Sequence, residues 1–333
     1  MPQEVERQYK AILRNYLEQQ NELNLYEGQT FSKQLIQKNI SPEEMIGIHR
    51  AALEEVVADI PDTIDHSFDL LIEVMVRYGL ALHEHQNLIQ KQENFRIEMD
   101  LAANVQKTLL KTTVPYIEGL DIGMLSVPAR EMNGDYVHFL SNPQAIGIGI
   151  ADVIGKGIPA ALCMSMIKNG MDSVNSANED PSVVLDVINR IVERSVTDSM
   201  FVSMLYASYD TTSNTFTYAS AGHEPALHYS LKEETFHELF VRGLLLGVLP
   251  QTTYQSHIVQ LEIGDFVVMM TDGVTECRSQ EGFIEIEKVM QIIEDVKNES
   301  AQEMVEYVYK ELILLQDFEL RDDFTLVIVK RAV

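Results

Sequence analysis

Four acidic positions lie where apolar, strand-like stretches begin or end. Asp135 lies in Asn-Gly-Asp-Tyr, Asp152 ends Ile-Gly-Ile-Ala-Asp, Asp272 follows Val-Met-Met-Thr, and Asp322 with Asp323 precedes the last apolar stretch. A rigid sheet would aim such carboxylates, and a converging cluster could not stay fully ionised without a cation. Oxygen-only ligands suit magnesium or manganese. The pattern predicts a hard-cation site, although each aspartate taken alone is typical of a turn residue that bonds its own backbone.

Three further features have weaker chemical signals. Gly155-Lys156-Gly157 lacks the Ser or Thr that a phosphate loop requires after its lysine, which disfavours a nucleotide hydrolase, although its backbone N–H groups at a helix start could bind an anion. His223, in Ala-Gly-His-Glu-Pro, is interpreted as a loop residue that bonds backbone; the alternative is a proton donor or a residue supporting the site. Arg130 could bind phosphate bidentately, but an isolated surface arginine is the favoured interpretation.

Composition excludes several classes of function. The 333 residues include 25 Lys and Arg against 51 Asp and Glu, for a net charge of −26. Such a chain lacks the basic footprint that nucleic acids and anionic membranes require. Because 46% of the residues are hydrophobic, the chain can bury a large core, and its length suggests two domains.

Location and redox state follow from what the sequence lacks. No apolar run approaches the roughly 18 residues of a membrane span, and the polar start is no signal peptide. Cys163 and Cys277 are too few for a disulfide framework or a zinc site. We expect a cytoplasmic protein in which both cysteines pack as small hydrophobic residues.

The first part of the chain is predicted to be all-α. Apolar spacing indicates helices over 3–23 and 29–38, with a break at Gly28. Ser41-Pro42-Glu43-Glu44 is a strong start signal for a third helix, and a fourth begins near Asp62. Short connections favour a four-helix bundle over 1–82, assigned to dimerisation or partner binding.

A long connector helix is expected over 83–118. Leu88, Phe95, Ala102 and Leu109 recur every seven residues, as in a coiled-coil seam that pairs two chains. The stripe is also compatible with an amphipathic helix lying on a domain, and both interpretations remain open. If the stripe is a coiled-coil seam, we expect the protein to be a homodimer.

From residue 119 to 333 the pattern alternates as in strands. Two of the predicted strands flank Thr-Thr-Ser-Asn, a hairpin signal, and helices are predicted over 158–177, 181–196, 283–297 and 300–315. Consecutive strands with grouped helices indicate an α+β layered domain.

Seven motifs in this region resemble those of a known family. In chain order they are NGDY, ADVIGKGIPAAL, MFVSMLY, YASAGHEPAL, GLLLGV, LEIGDFVVMMTDGVTE and RDDFTLVIVK. The set, over about 215 residues, resembles the SpoIIE-like group of bacterial PPM/PP2C-type serine/threonine phosphatases, and LAANVQKTLL resembles the helix that leads into their catalytic domain. The resemblance implies a β-sandwich flanked by α-helical layers, with two metal ions, usually manganese, at one edge.

The same resemblance implies a role for each acid. Asp135, Asp152, Asp272 and Asp322 match the family's metal-binding and catalytic aspartates, and the backbone carbonyl of Val153 joins them, although Asp323 is an alternative to Asp322. The family's ions activate a water that attacks phosphorus without a covalent enzyme intermediate.

Two positions depart from the family's pattern. Asn133 and Ala151 stand where the family usually has Gly. Both are small or turn-tolerant residues, and neither change removes a carboxylate.

The resemblance also implies partners in the bacterial general stress response. The substrate would be a phosphoserine on a STAS-domain anti-anti-sigma factor (RsbV-like), and the activator an RsbT-like switch protein acting through the N-terminal region and connector. Dephosphorylation would then lead to activation of a stress sigma factor. The alternative is a catalytically silent binding module with the same fold, which the intact acidic set disfavours.

Overall fold

The computed structural model describes residues 2–20, 22–38, 40–57, 59–154, 158–174, 176–177, 179–194, 200–279 and 282–332. The chain forms two compact units, Met1–Ile97 and Glu98–Val333. The predicted Gly155-Lys156-Gly157 turn lies outside the described residues.

The first unit is helical, as its apolar periodicity predicts. Its helices are α1 (Pro2–Glu18), α2 (Glu22–Gln37), α3 (Pro42–Val56) and the start of α4 (Asp62–Leu109). Ser41 caps α3 in a full capping box with Glu44. The predicted break at Gly28 is wrong: Gly28 lies inside α2, on an open face where its cost of about 1 kcal/mol is tolerated.

The core of this helical unit is small. Val5, Phe31 and Leu35 form its buried centre. Arg50 on α3 bonds Asp65 and Asp69 on α4 at 2.8 and 2.7 Å, which ties those helices together. Helix α4 continues without interruption to Leu109, so the connector predicted from residue 83 is part of the same 48-residue helix.

The second unit contains two five-stranded antiparallel sheets among its described residues. The strand order in the first sheet is β1 (Leu120–Val127), β12 (Phe324–Arg331), β9 (Phe266–Met270), β6 (Ala226–Ser230) and β7 (Thr235–Leu239). The order in the second is β2 (Asp135–Asn142), β3 (Ala145–Ile154), β4 (Phe201–Asp210), β5 (Thr215–Ala221) and β8 (His257–Gln260). Two further short strands, β10 (Arg278–Ser279) and β11 (Gly282–Phe283), pair antiparallel.

Strand periodicity explains the layers. Ile146, Ile148 and Ile150 on β3 pack with Val267 and Met269 on β9 in a core between the sheets. Alternate residues of the same strands face outward to cores shared with helices, because successive side chains point to opposite faces of a strand.

Helices cover both outer faces of the paired sheets. They are α5 (Ile158–Asp172) and α6 (Pro181–Glu193) on the β3 side, and α8 (Ile286–Asp295) and α9 (Ala301–Leu315) on the β12 side, with the single turn α7 (Asp272–Thr275) after β9. This arrangement confirms the expected β-sandwich flanked by α-helical layers.

Two compositional expectations concern residues that the structure describes. Both cysteines are free and buried, as predicted. In the part of the chain described here, no helix combines the length and apolar character needed to cross a membrane.

Candidate active site

The two sheets bring their acidic strand ends to one edge of the sandwich. Asp135 begins β2 and lies opposite Asp152 on β3 in the strand register. Asp272 follows β9 directly, and Asp322 precedes β12, the neighbour of β9. The four sequence-predicted acids therefore come in pairs, one pair from each sheet.

The carboxylates affect one another electrostatically. Burial, followed by the charges of Asp272, Asp322 and Asp323, raises the pKa of Asp152 to about 7. The pKa of Asp272 is also raised, first by burial and then by the Asp322 charge. The side chain of Asp135 is buried, which raises its pKa well above the ordinary value, with a smaller contribution from Asp152. The acids therefore form one cluster of like charges.

At two glycines of the site, the backbone lies very close to the acidic residues. A Cβ on Gly134 would lie 3.1 Å from Asp323 Oδ2, 3.7 Å from the Val153 carbonyl oxygen and 3.8 Å from Asp152 Oδ1. A Cβ on Gly273 would collide with the Asp323 backbone carbonyl. Glycine at both turns thus lets the carboxylates and the Val153 carbonyl come together.

The adjacent acids Asp322 and Asp323 have different environments. Asp323 accepts hydrogen bonds from the backbone N–H groups of Ala129 (2.7 Å) and Gly134 (2.5 Å). Asp322 is exposed and lines the cavity, and its Oδ1 accepts a bond from the Asp323 N–H. Both acids line the cavity, but Asp323 also holds the Asn-Gly-Asp turn in place, whereas Asp322 is the more exposed of the two.

Two positioning contacts were not foreseen from the sequence. The Thr271 hydroxyl donates to Asp135 Oδ2 at 2.7 Å, which links the end of β9 to the other sheet. Gln106 on α4 donates from Nε2 to the Asn133 carbonyl (2.7 Å) and accepts at Oε1 from the Asn133 N–H (3.0 Å). A lone threonine and a glutamine in a polar helix carry no distinctive signal in one sequence.

The hydrogen bonds of Gln106 connect α4 to the turn that carries Asp135. Gln106 is only 6% exposed although it lies on a largely polar helix. Asn133 in turn accepts at Oδ1 from the Asp135 N–H and donates to Ser126 Oγ, both at 2.9 Å. The last turns of α4 are thus hydrogen-bonded to the site through two residues.

A cavity of about 280 Å³ opens beside the acids. Its lining includes Asp152, Asp322 and two arginines, Arg130 and Arg321. Arg130, interpreted from the sequence as an isolated surface residue, therefore faces the acidic cluster. Its guanidinium is of the kind that binds phosphate oxygens bidentately.

His223 lies in a loop, as the sequence suggested, and the structure buries it there. Its Nδ1 lies 2.8 Å from Ser203 Oγ, whose strand position is opposite Asp152. Burial lowers the pKa of His223 to about 4, so the ring is neutral near pH 7.

The donor chemistry of the cluster suits a hard divalent cation. Several carboxylates and one carbonyl offer oxygen donors, and the pKa values of Asp152 and Asp272 are raised first by burial and then by neighbouring negative charges that a cation would neutralise. As the side chains stand, no group of three acidic, histidine or cysteine residues among the described ones is arranged to hold a metal ion. The described acids are gathered at one edge without forming a finished coordination shell.

The β-sandwich, its helical layers and the acidic edge beside the cavity together define a class of enzyme. The chain belongs to the SpoIIE family of PP2C-type phosphatases, since the family model "Stage II sporulation protein E (SpoIIE)" matches residues 142–332. A second model, "Phosphoserine phosphatase RsbU, N-terminal domain", matches residues 7–81.

Similarity to a curated relative covers nearly the whole chain. The chain is 50% identical over 329 residues to "Phosphoserine phosphatase RsbU" of Bacillus subtilis (strain 168), across 99% of this chain and 98% of that protein. It is accordingly an RsbU-type serine phosphatase of the stress-response pathway, and an enzyme rather than a silent module.

Solved structures show the same fold. The SiaA-PP2C domain of Pseudomonas aeruginosa superposes with a TM-score of 0.61 at 20% identity, covering 72% of this chain and 98% of that one. The RsbU and RsbW domains of Rv1364c from Mycobacterium tuberculosis give a TM-score of 0.57 at 24% identity, covering 66% of this chain and 64% of that one.

Proposed function

We propose that Asp135, Asp152, Asp272, Asp322 and the Val153 carbonyl hold two divalent ions, manganese or magnesium, and that these residues form the catalytic centre. The observation that carries this proposal is the convergence of these acids at one edge, where the pKa of Asp152 is raised first by burial and then by the charges of three neighbouring carboxylates. When bound, the ions supply positive charge for the phosphate and activate water for hydrolysis.

The chain's own groups orient the phosphate beside this centre. Arg130 and Arg321, from two different loops, line the cavity beside the acids. In a protein with a net charge of −26, these guanidinium groups give a phosphorylated substrate a local attractive contact that the overall charge denies it.

The substrate we propose is a phosphoserine on a STAS-domain anti-anti-sigma factor (RsbV-like). Support comes from the relative, whose name is phosphoserine phosphatase RsbU, and from the chain's full-length similarity to it. A protein phosphoserine also fits an open cavity better than a deep one, because the phosphate is presented on a bulky surface.

The experiment measures manganese-dependent phosphate release from a phosphoserine STAS protein and from ATP. Wild type is expected to act on the phosphoprotein and not on ATP, and Asp272→Asn is expected to lose that activity. Activity that persists undiminished in Asp272→Asn, or that needs no divalent ion, would overturn the proposed centre.

We propose further that an RsbT-like switch protein activates the enzyme through the N-terminal region and α4. The last turns of α4 use one face for the catalytic unit, through Gln106, and leave Leu101, Val105 and Leu109 at least half exposed. This second face is the surface on which α4 helices of two chains would pair, making a homodimer.

The relay is tested with Phe95→Glu and Leu109→Glu combined. Both side chains are exposed, so the double variant is expected to fold and to keep its basal turnover while losing most of the activator's effect. Equal activation of wild type and the double variant would refute the relay. Sedimentation of both proteins tests the homodimer directly.

A further inference from the structure

His223 occupies a position between the two sheets that the proposed chemistry does not use. It lies in the loop after β5, where Gly222 has a φ of +69° and the His223 N–H donates to Ser220 Oγ at 3.1 Å. These features hold the backbone of His223 in one conformation and so fix the position from which its imidazole ring extends.

One ring nitrogen contacts the strand beside Asp152. Nδ1 lies 2.8 Å from Ser203 Oγ on β4, and Ser203 is the register partner of Asp152 on β3. Any shift of the histidine ring is thus transmitted to the strand pair that carries one acid of the cluster.

The loop also lies beside the opposite sheet, because it leads into β6, which pairs with β9 through Leu227 and Val268. Nε2 is buried without a hydrogen-bond partner, and the Met270 backbone lies near enough to the ring to act on its pKa. Met270 ends β9, directly before Thr271, which bonds Asp135, and before Asp272. The ring accordingly lies between the ends of two strands, one from each sheet.

The next residue confirms how near this loop lies to the acids. Glu224 is half-buried, and the Asp272 and Glu276 charges act on its carboxyl group.

We infer that His223 is a positioning residue that holds the β4 and β9 ends at a fixed separation, through its hydrogen bond to Ser203 and its buried place in the loop that leads into β6 beside β9, and so sets the spacing of Asp152 and Asp272 for metal binding. The inference rests on the proposed metal centre. It assigns His223 no contact with substrate and no proton transfer.

The test compares wild type with His223→Asn and Ser203→Ala in the full-length protein. The Asn amide reaches only the Nδ1 position, so it keeps the Ser203 contact and leaves the place of Nε2 beside β9 empty; Ser203→Ala does the reverse. In each variant the half-saturating manganese concentration is expected to rise about tenfold, because groups that orient metal ligands typically contribute that much. Turnover at saturating manganese should stay within about threefold of wild type.

A second readout does not depend on activity. Manganese is expected to raise the melting temperature of wild type, and in both variants this rise should need about tenfold more metal. The double variant should show less than the sum of the two effects, since both changes break one chain of contacts.

The matched control is His228→Asn. His228 is buried and lies 3.1 Å from Asp265 through Nε2, in the same sandwich but in a hydrogen bond that involves none of the site acids. It should lower the metal-free melting temperature without moving the manganese half-point. The inference fails if His223→Asn and Ser203→Ala behave as this control does, whereas a wild type without metal-dependent phosphatase activity would instead refute the proposed function.

Discussion

The Thr271 hydroxyl donates a 2.7 Å hydrogen bond to the buried carboxylate of Asp135, joining the end of β9 in one sheet to the first residue of β2 in the other. The same oxygen accepts from the Thr325 N–H at 3.2 Å. One side chain thus connects three strands at the edge where the acids meet.

Removing this hydroxyl should be costly. Thr271→Val keeps the shape but removes one of the two buried threonine side chains that hydrogen-bond Asp135, Thr325 being the other, so we expect a loss of about 1–3 kcal/mol in the free energy of unfolding and weaker manganese binding. Urea denaturation and metal titration measure both. Thr271→Ser, which retains the hydroxyl, is the control and should stay close to wild type; equal losses in the two variants would indicate that packing of the methyl group matters instead.

Gln106 should matter more than its neighbours on α4. Gln106→Ala removes both bonds to Asn133 and frees the turn that carries Asp135, so we expect basal and activated turnover to fall about tenfold or more. Gln90→Ala is the matched control, because Gln90 is an exposed glutamine on the same helix that bonds only Asn94 among the contacts described. A similar fall in both variants would show that α4 acts through its helicity and not through this contact.

Substitutions of the adjacent acids Asp322 and Asp323 should have different effects on activity and on stability. Asp322→Asn is expected to abolish manganese-dependent activity with little change in metal-free stability, since its side chain is exposed. Asp323→Asn should lower the metal-free melting temperature by several degrees, because its carboxylate accepts two backbone N–H bonds. The reverse pattern would make Asp323 the metal ligand.

Acid should destabilise the metal-free protein partly through His223. Its pKa is lowered to about 4 in the folded state, against an ordinary value near 6.5, so the unfolded chain binds more protons between these values. The stabilising effect of a neutral His223 is full above about pH 6.5 and is lost as the pH falls towards 4.

This dependence appears as a difference between two proteins. The free energy of unfolding of wild type should fall with decreasing pH by up to about 1.4 kcal/mol per unit more steeply than that of His223→Asn. The buried aspartates, with raised pKa values, act in the opposite direction in both proteins and cancel. Parallel curves from pH 7 to 4 would contradict the prediction.

The layered architecture follows closely from periodicity in the sequence. The alternation in Ala145–Ile154 gives β3 one isoleucine face for the facing sheet and one small-residue face for the helices. The Ser41 capping box fixes the start of α3 equally well. The interruption expected at Gly28 is wrong because a glycine costs only about 1 kcal/mol inside a helix, and burial of Phe31 and Leu35 on α2 offsets that cost.

Only part of the candidate site could be predicted from the sequence. Asp135, Asp152, Asp272 and Asp322 could be selected because each stands at a strand end beside a turn, and the ordered motifs gave them a common chemistry. Gln106 and Thr271 could not, since each is an ordinary residue of its element until a distant partner is placed beside it.

The sequence by itself determined the elements, their layering and the acidic set, because these depend on local spacing and on which faces are apolar. The tertiary structure alone decided which acids raise one another's pKa, that Asp323 holds the turn while Asp322 is the more exposed of the two, and that His223 lies between the sheets. Those relationships join residues up to about 190 positions apart, such as Gly134 and Asp323. They depend on how two sheets pack, which spacing along the chain does not encode.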